Sequence, residues 1–226
     1  MSRLAAALLL ALRLRVGRRR KPLGRGGFSR LATITKNRLT LLTASAESLT
    51  YLGVGAVESF LPLYALSLGL EPWEIGMLLT LQLVVITLSK PGMGEASDRY
   101  GRKPFIALGL ATAAMSVAAI PLAHDFPSLL LLMAVNGVGV SATTSSTAPL
   151  ISDLTPPAAL GSAMGALETI KDVGHAFGPI LTGWLITWRG YAGAFAAVAL
   201  LIFLDSLLFT VAVRGARPPA SRERTP

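Results

Sequence analysis

Two neighbouring stretches of this sequence, Pro104 to Ala123 and Phe126 to Ser152, carry no charged residue. A helix needs about 20 predominantly apolar residues to cross the roughly 30 Å of hydrocarbon in a bilayer, and each stretch is long enough. A soluble domain would have to cover such segments with polar surface, and the chain does not hold enough of it. Apolar residues make up 52% of the 226 positions and charged residues only 15%, against about 25% in ordinary globular domains. The mean hydropathy is +0.59. These figures predict an integral membrane protein of the all-α class, and they exclude disorder, a collagen-like repeat and a coiled coil. With no cysteine, disulfide frameworks, thiolate metal sites and cysteine nucleophiles are ruled out. The two histidines, His124 and His175, do not suffice for a multi-histidine metal centre.

Four further segments bring the expected number of transmembrane helices to six: Leu39 to Leu68, Glu74 to Met93, Ala158 to Trp188 and Gly190 to Val213. Their Ala, Gly and Ser content suits membrane helices whose backbones approach closely. Short breaks separate them. Leu70-Glu71-Pro72-Trp73-Glu74 ends the first, and Tyr100-Gly101-Arg102-Lys103-Pro104 supplies a glycine stop with a proline at the next helix start. His124-Asp125-Phe126-Pro127 is the third break, Asp153-Leu154-Thr155-Pro156-Pro157 the fourth, and Trp188-Arg189-Gly190 a minimal turn. Thr155 is the expected N-cap of the fifth helix.

Basic residues set the orientation. Eleven of the 21 lie between Arg3 and Arg38, four are Lys90, Arg99, Arg102 and Lys103, and four close the chain at Arg214, Arg217, Arg222 and Arg224. With both termini cytoplasmic, the cytoplasmic parts hold 19 of them and the outer loops only Arg189, Lys171 being intramembrane. This placement accounts for the formal net charge of +9, so no nucleic-acid partner is expected. The expected organisation is an apolar stub and basic cytoplasmic linker over 1–38, a six-helix bundle over 39–213 and a polar cytoplasmic tail over 214–226. The stub, Leu4 to Leu12, is too short to span. It reads either as a signal-peptide core, although no small-residue cleavage site follows, or as the last turns of a preceding helix.

The break after the second segment reads Gly94-Glu95-Ala96-Ser97-Asp98-Arg99-Tyr100-Gly101-Arg102-Lys103. Gly94 permits a close helix crossing, and Gly101 can take a positive backbone dihedral at the turn. Asp98 lies one turn from Arg102 and can pair with it or with a neighbouring helix. Arg99, Arg102 and Lys103 hold the loop at the anionic cytoplasmic face. The stretch resembles the G-x-x-x-D-R-x-G-R-K loop of the major facilitator superfamily of secondary transporters, with all six specified positions matching. Phe60-Leu61-Pro62-Leu63-Tyr64 with Ser67-Leu68-Gly69-Leu70 looks like the end of a family first or seventh helix. Gly174-His175-Ala176-Phe177-Gly178-Pro179, followed by Gly183, looks like the family's G-x-x-x-G-P helix. The resemblance covers residues 39–213. It implies that the loop is a conformational latch, made in one state and broken in the other, and that Gly174, Gly178, Pro179 and Gly183 shape a helix for packing and bending. The plainer alternative for the loop is a topology anchor.

In this family two six-helix halves enclose the substrate near the midplane and rock against each other. The chain carries six segments, and the resemblance favours the C-terminal half. Met133 stands where the fourth helix of an N-terminal half usually has arginine, Asn136-Gly137 follows, and Leu160 precedes Gly161 where arginine is frequent. The polar end after the sixth segment and the stub with its basic linker point the same way. A second half is then required, from the same chain if the start codon was set inside a longer frame, or from a dimer partner. The implied function is secondary active transport of a small-molecule solute across a lipid bilayer, the cytoplasmic membrane of a prokaryote, by alternating access. The alternative is a non-transporting six-helix module that binds a partner, regulates, or is a remnant. No phosphate-binding G-x-x-x-x-G-K-[ST] loop occurs, no enzyme constellation stands out, and no cofactor or metal is expected.

Ionisable residues at membrane depth are costly and mark functional candidates. Glu168, Lys171, Asp172 and His175 are spaced by three, four and seven residues, which puts them on one helical face. They are expected to face the central cavity and serve substrate contact or proton coupling, His175 being able to exchange a proton near physiological pH. The alternative is a structural ion-pair network. Glu47, Tyr51 and Glu58 lie on the first segment, and the two acids, eleven residues apart, share a face. Both acids are candidate proton carriers, Glu58 the deeper of the two. Asn136, Thr143 and Thr144 are candidates to line the cavity or to tie helices together. Asp205 is isolated in the sixth segment, and Lys90 is expected to snorkel.

Overall fold

The computed structural model describes residues 38–214, so the N-terminal stub and most of the basic linker, with most of the C-terminal tail, lie outside the described residues. Five α-helices fill that range: α1 (Arg38–Ser67), α2 (Pro72–Tyr100), α3 (Arg102–Ala119), α4 (Phe126–Leu154) and α5 (Leu160–Arg214). A 3-10 turn, Ile120–Leu122, extends α3, and a second, Pro157–Ala159, precedes α5. All five helices are long and apolar enough to cross a membrane.

The fifth and sixth expected segments are two helical arms of α5 that meet directly at a break at Gly190. The break is sharp. Gly190 has φ 67° and ψ −176°, a backbone state that a Cβ would oppose. The partners of α1 show that the chain reverses there. Gly174, Gly178 and Gly183 meet Ser48, Leu52 and Phe60 in ascending order. Beyond Gly190, Phe195, Ile202 and Asp205 meet Tyr64, Gly53 and Ser45 in descending order. The two arms of α5, 160–189 and 191–214, therefore run antiparallel on either side of α1, each long enough for a span.

Helix ends follow local chemistry. Pro72 starts α2, where its missing N–H costs nothing, and the Glu74 carboxylate accepts the Glu71 backbone N–H at 2.8 Å. This sets the start two residues earlier than the sequence suggested. The basic motif is not an open loop: α2 continues to Tyr100, α3 begins at Arg102, and only Gly101 (φ 99°) stands between them. Thr155 does not cap the fifth helix. It closes α4, its N–H bonding the Ser152 carbonyl, because Pro156 and Pro157 force a separate 3-10 turn before Leu160.

α1 packs mainly on α5, α3 on α4 and α5, and α2 mainly on α4, while α1 and α2 barely touch. The core joins Leu61, Leu78, Leu110, Leu129, Phe195 and Ile202. The α1–α5 contact is close because Gly174 and Gly178 lay bare backbone against Ser48 and Leu52. A Cβ at Gly178 would run into the Leu52 carbonyl, whereas one at Gly165 would meet nothing within 4 Å. Gly178→Ala is expected to destabilise the chain by about 2 kcal/mol, and Gly165→Ala to leave stability unchanged or raise it. Thermal unfolding of both variants in detergent, followed by circular dichroism, checks the contrast.

Candidate functional site: an ionisable stripe on an open face

Because α1 and α2 diverge, a groove of about 400 Å³ opens between them, lined by Glu58, Leu79, Thr80, Gln82, Leu83 and Ile86. On the other side of Glu58 stands the first arm of α5. His175 Nε2 lies 3.0 Å from Glu58 Oε2, and the two side chains are 45% and 51% exposed. Lys171 pairs with Glu168 and lies 4.0 Å from Asp172. Its Nζ sits 5.2 Å from the centre of the Tyr51 ring, a cation–π distance. Tyr51 in turn meets the His175 ring edge-on at 6.3 Å. Glu168, Lys171, Asp172 and His175 thus share the face that the sequence assigned them, and Tyr51 and Glu58 continue the stripe across to α1. Chemically, this set can hold a cationic or polar group and pass a proton between an imidazole and a carboxylate in direct contact.

The close approach of α1 and the first arm depends on the glycine motif. Gly174 and Gly178 rest on the backbone of α1, the Pro179 ring packs beside Gly55, and Gly183 accommodates the Phe60 ring. The helix runs through Pro179 without a break. With larger residues at 174 and 178, His175 would stand too far off to reach Glu58.

Two candidates lie elsewhere. Glu47 is only 5% exposed and accepts a hydrogen bond from the Thr147 hydroxyl of α4. It points the same way as Glu58, but α4 covers its end of α1, whereas the groove leaves Glu58 open. Asn136 does not line the open face. It is 2% exposed, accepts from Gln82 Nε2 at 2.8 Å and donates to Ser116 Oγ at 2.8 Å. It ties α2, α4 and α3 together, and its amide is committed to that network. Sequence reasoning missed Gln82, Thr147 and Tyr51 as partners. A lone glutamine in an otherwise apolar stretch of α2 was the available signal for the first.

At the far end of the bundle Arg102 binds Asp98 at 2.9 Å, as the spacing predicted, and also Asp153 at the end of α4 at 3.3 Å. Arg99 lies over the Tyr100 ring at 5.7 Å. Lys103 joins Asp98, Arg102 and Asp153 around a cleft of about 320 Å³. Gly94 does not mediate a close crossing, since a Cβ there would meet nothing within 4 Å.

The sequence profile of the Major Facilitator Superfamily matches residues 43–226. Curated relatives include the uncharacterized MFS-type transporter YybF of Bacillus subtilis, 23% identical over 88% of this chain and 48% of its own length. The multi-drug resistance efflux pump PmrA of Streptococcus pneumoniae is 27% identical over 78% of this chain and 45% of its own. The quinolone resistance protein NorA of Staphylococcus aureus is 26% identical over 71% of this chain and 42% of its own. The chain spans a little under half the length of each of these relatives.

The absence of native cysteine allows the open face to be mapped directly. Asp172→Cys, on the stripe, is expected to react with a charged maleimide about tenfold faster than Ser146→Cys, buried in α4. Comparable labelling rates in the purified chain would contradict the assignment of the open face.

Proposed function

Given that the chain belongs to the Major Facilitator Superfamily, we propose that it is one half, the C-terminal one, of a secondary carrier that moves a small solute by alternating access. The second half comes from the same polypeptide where that is longer, or from a partner. The observation that carries this reading is the stripe itself. Ionisable side chains at mid-helix are expensive in lipid, and here they gather on one exposed face beside an apolar groove. A charged face of that kind belongs against water or a second half, where a solute would pass.

The Glu58–His175 contact supports proton coupling. A proton held by this pair neutralises Glu58 or charges His175, and either change alters what the open face attracts. The names of two relatives refer to drug efflux and quinolone resistance. An amphipathic organic solute fits the groove, where Leu79, Leu83 and Ile86 would take an apolar body and Glu58 a cationic group. The basic residues favour an orientation with both termini cytoplasmic. The Asp98–Arg102–Asp153 cluster would then act as a latch at the cytoplasmic end, joining the start of α3 to the end of α4.

Proteoliposomes carrying the complete carrier, the full polypeptide where it is longer or the chain reconstituted with its partner half, test the reading. An imposed pH gradient is expected to drive movement of a fluorescent quinolone, and Glu58→Gln to reduce it to the level of empty vesicles. Gradient-driven flux that survives Glu58→Gln would remove Glu58 from the pathway. No flux from the complete, unaltered carrier would favour the non-transporting module.

A further inference from the structure

On the far side of α1 from the stripe lies a second buried carboxylate. Asp205, in the second arm of α5, is 5% exposed. Ser45, its partner on α1, is thirteen residues before Glu58, which at about 100° per residue places it roughly opposite on the helix. Asp205 Oδ1 lies 2.9 Å from the Ser45 hydroxyl, while Oδ2 is buried with no hydrogen-bond partner. Even the first contact is contested, because Ser45 Oγ also lies 3.0 Å from the Leu42 carbonyl and a hydroxyl has one proton to give. The carboxylate therefore receives at most one hydrogen bond, where an ionised one can accept about four.

Among the described residues, no charged group on the helices packed around it makes an ion pair with it. On α1, Glu47 faces Thr147 and Glu58 faces His175, with Arg38 at the helix start. On α3, Arg102 is held by Asp98 and Asp153, with Lys103 beside it, and the Ala107 carbonyl accepts the hydroxyl of Ser206. On the first arm, Lys171 pairs with Glu168 and Asp172. None of the ion pairs among the described residues reaches Asp205. Burying an unpaired charge is costly, so the missing positive charge has to come from solution.

We propose that Asp205, with the Ser45 hydroxyl and the Leu42 carbonyl, forms an occluded site for one small monovalent cation, a proton or a sodium ion, that docks the second arm of α5 on α1. Oxygen donors alone make up this set, which suits a hard cation and no soft metal. The site is separate from the Glu58–His175 stripe and does not depend on transport.

Thermal unfolding of the purified chain in detergent tests it. Sodium chloride is exchanged for N-methylglucamine chloride at constant ionic strength, and separately the pH is lowered without sodium. A saturating cation is expected to raise the midpoint by about 5 °C, sodium or acid alone identifying which ion binds. Asp205→Asn, neutral and of the same shape, should abolish the response, and Ser45→Ala should shift the half-effect concentration about tenfold without abolishing it. Absence of any response in the unaltered chain, or a full response in Asp205→Asn, overturns the site. Should Asp205→Asn fail to fold, an unchanged half-effect concentration in Ser45→Ala overturns it equally.

Discussion

The backbone of α1 meets the backbone of α5 at Gly174 and Gly178 with no side chain between them, and most of the structure depends on that contact. In a membrane, apolar side chains gain little by leaving lipid for protein, so helix association rests on close packing and hydrogen bonds. Small residues are therefore the means by which two helices hold each other. Once the first arm of α5 is fixed on α1, Gly190 turns the chain and the second arm returns along the other side, bringing Phe195 to Tyr64 and Ile202 to Gly53. α1 is thus held on two sides, which leaves its remaining face for the stripe.

The polar residues divide by what covers them. Gln82, Asn136 and Ser116 form a chain of hydrogen bonds inside the bundle, linking the three helices that the Asp98–Arg102–Asp153 ion pairs join at their ends. Such ties are worth about 1 kcal/mol each in membranes, and their value lies as much in fixing register. The stripe, in contrast, is half open. Its ion pairs leave Asp172 and Glu168 largely exposed, and interactions of that kind contribute little to stability. Their cost and their exposure are the grounds on which the proposed role in transport rests.

Most of the architecture was legible in the sequence because bilayer physics is coarse: long charge-free runs must be helices, and the basic residues mark their ends. The stripe was legible for a similar reason, since spacing alone puts residues 168, 171, 172 and 175 on one face. What spacing cannot reveal is which neighbour covers a face. Glu47 and Glu58 point the same way from α1, yet α4 reaches one and the groove leaves the other open. Spacing left Asn136 open between lining a cavity and tying helices together for the same reason: its environment is decided by Gln82, fifty-four residues away. The expected loop over residues 94–103 proved largely helical because a glycine at 101 suffices to turn the chain, and nothing else in that stretch interrupts the hydrogen-bond ladder.

The open face also limits how the chain can sit in a bilayer. Lys171, Glu168, Asp172, Glu58 and His175 cannot all snorkel to an interface from the middle of α1 and of the first arm of α5, since several lie more than two turns from the nearest helix end. Turned to lipid, they would each carry a desolvation cost that their pairing only partly offsets. Turned to a water-filled cleft between two bundles, they keep their pairs and their hydration. The same residues that would make a lone half untenable in lipid are therefore those that a paired half would place along a solute path. That coincidence is the physical ground for the proposal that the stripe serves transport.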